Sequence, residues 1–197
     1  MASTVYGQFT TVINSPPSII GESQSIGSDT QLNVFEGGSV GSRFSAGALD
    51  VVSNNVEVNV FGGSVGDFFY AYPDSQVTIS GGEFRLDGVL VEGLESVGAT
   101  LALDIPDRAL LSGVLADGTP FAFSSQDDNS FWPGSLTLES SALPPVGPPL
   151  ITASTDPVPL GIRQGQTLVV DAGGVVGNRF NAGWGSTVII EEGGIMG

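Results

Sequence analysis

Three groups of residues in this 197-residue chain have types and spacing that could do chemistry or recognition. Phe68, Tyr70 and Tyr72 stand at every second position. On an extended strand that spacing puts all three rings on one face, and aromatic faces on a rigid strand can stack against sugars. Arg43, at the matching place one repeat earlier, is expected beside Phe68, where its guanidinium would cover the ring instead. Gln126-Asp127-Asp128-Asn129-Ser130 offers oxygen ligands of the type Ca2+ accepts, with Asp127, Asp128 and Asn129 as the metal candidates. It has neither the Asp-x-Asp-x-Asp-Gly spacing of an EF-hand loop nor the Gly-Gly-x-Gly-x-Asp pattern of Ca2+-binding β-rolls, so a solvated turn is its plainer reading. Asp67, Asp74 and Asp87 form the third group, because glycoside hydrolysis needs two convergent carboxylates. They occupy different places in the repeat, and Asp74 stands at a corner where a later copy has Gly185.

Composition removes several chemistries. The chain has no His and no Cys, so Ser–His–Asp and Cys–His nucleophiles, thiolates and imidazole metal ligands are all absent. It has no Lys, and its net charge is −16. Binding to nucleic acid or to an anionic membrane needs clustered cations, so neither is expected. A lyase acting on an acidic polymer would lack Lys and His and would meet net repulsion. No catalytic residue is assigned. An outward rank of Thr would suggest ice binding, but the relevant positions hold Asn33, Asn59, Thr78, Val169 and Ile189. No apolar run reaches membrane-spanning length. The stretch after Met1 is not a secretory signal, so an exported protein would carry its signal elsewhere or have lost it.

The elements that position these residues are repeats. Leu32-Asn33-Val34-Phe35-Glu36-Gly37-Gly38-Ser39-Val40 aligns with Val58-Asn59-Val60-Phe61-Gly62-Gly63-Ser64-Val65, and with Leu168-Val169-Val170 leading to Gly173-Gly174-Val175-Val176. Partial copies begin at Val77 and Val188. Equivalent positions lie 19 residues apart from Val58 to Val77 and 20 apart from Leu168 to Val188. The step of 26 from Leu32 to Val58 adds a six-residue loop around Asp50–Asn55. A unit this short cannot bury its own apolar side, so neighbours must stack at about 4.8 Å, with like residues in ladders.

Period-two alternation points Leu32, Val34, Val58, Val60, Val77, Ile79, Leu168, Val170, Val188 and Ile190 inward. Each Gly-Gly pair, Gly81-Gly82 included, is expected to turn a corner. Val40, Val65, Phe84, Val176 and Met196 should line a second wall. Phe44, Phe69 and Phe180, each followed two residues later by Ala, should line a third. Recurrent Gly-Gly and β-branched pairs argue against helices. The expected fold is all-β: a right-handed parallel β-helix (β-solenoid) with coils of about twenty residues and a non-repetitive β-rich insertion or cap.

Four regions follow. Residues 1–31 make an N-terminal lead-in strand and cap, 32–84 the solenoid coils, 85–149 an irregular β-rich segment with a Pro-rich connector, and 150–197 the start of a second stack. Within the irregular segment, Thr100–Ile105, Ala109–Leu115, Pro120–Ser124 and Ser135–Glu139 read as strands, with a hairpin turn at Asp117-Gly118. The segment either caps or continues the stack. Gly38 and Gly174 are 136 residues apart, so the chain spans one long unit and the beginning of another. It stops in mid-coil, which implies a piece of a longer protein or an end covered by another chain.

The recurring Val-x-Val, Gly-Gly, Val-Gly and Phe-x-Ala coil resembles the arrays of very large secreted or surface proteins of environmental bacteria, adhesins and autotransporter passengers among them. Leu111–Phe121 is similar to a recurring element of such arrays. The resemblance implies an extracellular or cell-surface setting and an architecture, with no functional residue to carry over. The expected role is a structural or adhesive module without catalysis, and the alternative is a carbohydrate-binding module or polysaccharide-active enzyme. Glycans or neighbouring chains are the expected partners, and the open C-terminal coil is expected to allow end-to-end self-association. No cofactor is expected, Ca2+ aside.

Overall fold

β-Branched residues at alternate positions, separated by glycine turns, favour short strands over helices. In the computed structural model, which describes residues 9–48, 53–106, 108–124, 135–178 and 180–197, every regular element is a strand. The protein is all-β, and most of its strand pairs are parallel.

The first three turns of chain repeat one plan. The first contributes β1 (Thr11–Ser15) and β2 (Ser25–Ile26). The second contributes β3 (Thr30–Val34), β4 (Ser39–Val40) and β5 (Ser45–Ala46). The third contributes β6 (Val56–Val60), β7 (Ser64–Val65) and β8 (Tyr70–Ala71). β1, β3 and β6 pair in parallel and in register, Ile13 to Leu32 to Val58, and β2, β5 and β8 do the same on another side. β4 pairs with β7, and Ile20 bridges to Val40. Leu32, Val34, Val58 and Val60 therefore pile into apolar columns and are buried. Phe44 and Phe69 meet with ring centroids 5.4 Å apart, as expected of residues sharing one column. Each such side chain contributes on the order of 1.5–3 kcal/mol through burial.

The corner after β3 shows why glycine recurs there. Gly37 has φ +74°, and a Cβ on Gly38 would collide with the Ser15 carbonyl of the preceding turn. At the opposite corner Asp29, Asn55 and Asp74 take positive φ in register, a conformation that Asn and Asp tolerate better than most residues. Asn55 Nδ2 donates to Asp29 Oδ1 at 3.2 Å.

β9 (Ser75–Leu86) departs from the plan. Gly81-Gly82, expected to turn a corner, instead lies inside this one strand. The reason is close approach: a Cβ on Gly81 would strike the Val114 carbonyl of a neighbouring strand. β10 (Val89–Leu90) folds back on β9. Then come β11 (Thr100–Leu103), β12 (Leu110–Leu115), β13 (Pro120–Ser124) and β14 (Ser135–Ser140), close to the four expected strands. β12 and β13 form a hairpin around Asp117-Gly118, and β12 pairs antiparallel with the second half of β9. β14 returns to the first half of β9 in parallel, Leu136 beside Val77 and Leu138 beside Ile79. β11 then pairs antiparallel with β14. The irregular segment thus both continues the parallel ladder and ends it.

The second stack repeats the plan with β15 (Leu150–Thr152), β16 (Gly161–Ile162), β17 (Thr167–Val170), β18 (Val175–Val176), β19 (Asn181–Ala182), β20 (Thr187–Ile190) and β21 (Ile195–Met196). β15, β17 and β20 form one parallel ladder, β16 and β19 another, and β18 and β21 a third. Leu168, Val170 and Val176 are fully buried. Their counterparts one rung later were expected inside as well, yet Ile190 is 58% and Met196 42% exposed, and Val188 is only half-buried. Phe180 is likewise half-buried and Ala182 exposed. Among the described residues β20 pairs on one side only, with β17, so its inward row is left uncovered.

Candidate functional site

The aromatic row sits at the corner between β7 and β8. Phe68 has φ +59°, in register with Arg43 at the same φ, and the Arg43 amide donates to the Asp67 carbonyl at 2.8 Å. Arg43 Cζ lies 5.8 Å from the centre of the Phe68 ring, the covering contact expected between them. Phe69 and Ala71 point inward, so Tyr70 and Tyr72 share the outer face of β8, half-buried, with rings 6.1 Å apart and 17° from parallel. The fold thus pairs the two tyrosines with each other and Phe68 with Arg43.

The other expected groups do not assemble. Asp127, Asp128 and Asn129 lie outside the described residues. Among the described residues, no three His, Cys, Asp or Glu side chains come together in a way that could hold a metal ion. Asp67 and Asp74 stand on either side of β8 and Asp87 follows β9, where its Oδ1 accepts a hydrogen bond from the Leu110 amide at 2.8 Å.

A cleft that sequence reasoning missed lies where the two stacks meet. Its floor is the outer face of β9, β12 and β13, with Glu83, Arg85, Leu110, Ser112, Val114, Pro120 and Ala122. Its roof is Asn181–Trp184 of the second stack, and the cavity between them holds about 190 Å³. A β-bulge shapes the floor. Arg85 pairs with Ser112 and Gly82 with Val114, so Gly113 alone faces both Glu83 and Phe84. Glu83 takes φ +54° within the strand. Bulges of this kind re-aim side chains. Here the slip buries Phe84 and leaves Glu83 and Arg85 together on the cleft side.

Arg85 Nη1 donates to the Gly88 carbonyl at 3.0 Å, and its Cζ sits 4.9 Å from the centre of the Trp184 ring. Behind the floor, Arg163 is buried; its Nη1 donates to the Pro144 carbonyl at 2.8 Å, and its Nη2 lies 4.0 Å from Glu83 Oε1. The readable signal for this site was the change in inward parity between Ile79 and Phe84, which a regular strand cannot produce. No family model, curated protein or solved structure matches the chain.

Proposed function

We propose that the chain is a right-handed parallel β-helix, a β-solenoid module that serves as a stiff structural or adhesive part of a larger extracellular protein. The observation that carries this reading is the in-register column Ile13, Leu32, Val58, Val77, Leu136, which runs through five successive parallel strands. Successive parallel strands joined by crossovers in one sheet almost always wind right-handed, which supports the hand. An acidic, Lys-free chain suits a spacer that must stay soluble while exposing long ladders. The resemblance of its coils to bacterial surface arrays supports the setting.

In the same reading the open last rung joins a second copy of the chain. Val188, Ile190 and Met196 present an apolar row beside the free edge of β20. A head-to-tail contact would set this row against the first turn, where Ile20 and Ile26 are already buried while Val12 and Ile19 are exposed. Two C-terminal rungs can instead meet each other, an isologous contact that closes at two chains. Sedimentation velocity across a concentration series should give a reversible dimer that strengthens with salt, because screening weakens repulsion between chains of charge −16. Ile190→Lys should leave a monomer with unchanged circular dichroism. A wild-type chain that stays monomeric at every concentration and salt would remove the self-association.

A further inference from the structure

We infer that the cleft between the stacks is a binding site for a single carboxylate-bearing sugar ring, held by Arg85, Ser112 and the apolar wall that Trp184 completes. The inference goes beyond the role of a structural module. It starts from charge: among the described residues Arg85 has no carboxylate within salt-bridge distance, in a chain with 21 acidic and five basic residues. Among the described residues its one hydrogen-bond partner is the Gly88 carbonyl. The rest of the guanidinium fork faces a cavity and can take a carboxylate through paired, charge-assisted hydrogen bonds. Glu83, the acid on the same wall, lies 4.0 Å from Arg163, so its charge is partly offset from behind.

Shape and lining select the rest of the ligand. Leu110, Pro120, Ala122 and Trp184 give an apolar surface that a ring face can lie against. Ser112, directly across from Arg85 in the ladder, and Glu83 can bond hydroxyls. At about 190 Å³ the cleft is smaller than the roughly 300–1,000 Å³ of most ligand pockets, which favours one ring over several. The net charge of −16 also opposes a long polyanion. The bulge adds a geometric reason: it breaks the alternation of the strand and so puts Glu83 and Arg85 together on the wall of the cleft.

The test uses the full chain with Trp132→Phe, so that Trp184 is the one tryptophan left to report, and it titrates sodium glucuronate against glucose. Glucuronate should shift the fluorescence of Trp184 saturably, with glucose at least about tenfold weaker. Arg85→Gln should weaken glucuronate by about tenfold or more, and Ser112→Ala by less. Because Arg85 also touches Trp184, Ala122→Phe is the second variant; it fills the floor, keeps that contact, and should abolish the shift. If glucuronate gives no saturable signal, if glucose binds equally well, or if Ala122→Phe leaves the titration unchanged, the proposal is overturned. None of these outcomes depends on whether the chain dimerises.

Discussion

The two stacks are written in nearly the same residues and end in opposite ways. Val60 of the first is 2% exposed, whereas Ile190, its counterpart in the second, is 58% exposed. Both sit on the inward parity of a strand that precedes a glycine corner. The difference is the next rung: β9 lies on β6, whereas among the described residues β20 pairs only with β17. Burial in a ladder thus belongs to the neighbour as much as to the residue, and stability should be distributed accordingly. Phe44→Ala, in the sealed column with Phe69, should cost about 3–5 kcal/mol in urea denaturation. Phe180→Ala, at the equivalent place in the open stack, should cost about 1 kcal/mol, because less of the ring leaves water on folding. Equal losses would mean that the second stack is covered in solution, and the comparison would have to be redrawn around that cover.

What closes the first stack can be weakened directly. The β12–β13 hairpin is pinned to the corner after β6 by Asp117, whose Oδ2 accepts from the Gly63 amide at 2.6 Å while Oδ1 accepts from the Thr119 amide at 2.8 Å. Gly63 is buried, so removing the carboxylate leaves its N–H without a partner. Asp117→Ala should therefore cost about 1.5–3 kcal/mol, the range for hydrogen bonds to a charged group. Asp117→Asn, which keeps one acceptor, should lose less. At the corresponding corner of the second stack the bonds are backbone ones, Gly194 N to Glu191 O within the corner and Gly173 N to Gly193 O from the preceding turn. A thermal melt in which Asp117→Ala and Asp117→Asn both match wild type would show that the hairpin is held by packing and by the backbone bond from Asp117 N to Phe61 O, not by the carboxylate.

The ladder was readable from sequence because its signal is local and repeated. Leu-x-Val followed by Gly-Gly names both the inward face and the next corner, and Val58 and Val77 stand in register as their spacing requires. Other features were hidden where a residue's role depends on a distant partner. Gly81-Gly82 has the same letters as a corner, yet β12 comes close enough to make glycine necessary at Gly81 inside a strand. Ser135–Ser140 alternates like any strand, and nothing in it names Val77 and Ile79 as neighbours. Thr11–Ser15 is a full member of the ladder without the repeat's glycine signature. The cleft combines both difficulties, since its floor comes from the middle of the chain and its roof from residues 181–184, and its bulge appears only as one slip in parity.

The smallest effect separates the two stacks at a single corner. After β3 and β6, Phe35 and Phe61 stack with centroids 5.3 Å apart and planes 8° from parallel. The matching position after β17 is Asp171, whose carboxylate accepts hydrogen bonds from the Ser154 hydroxyl and, at 3.1 Å, from the Ser154 amide. The hydroxyl bond is the main reason that the Asp171 carboxyl titrates below its ordinary value of 3.8. A carboxylate depressed in the folded chain adds stability above its unfolded pKa, and that contribution is lost as pH falls through the folded one. The second stack should therefore carry a small acid-sensitive term below about pH 3.8 that the phenylalanine corner lacks. Ser154→Ala should move the Asp171 titration back toward 3.8 in a carboxyl-detected NMR series, with only part of the shift retained through the amide. If Asp171 titrates identically in Ser154→Ala and wild type, the hydroxyl is not what holds this corner.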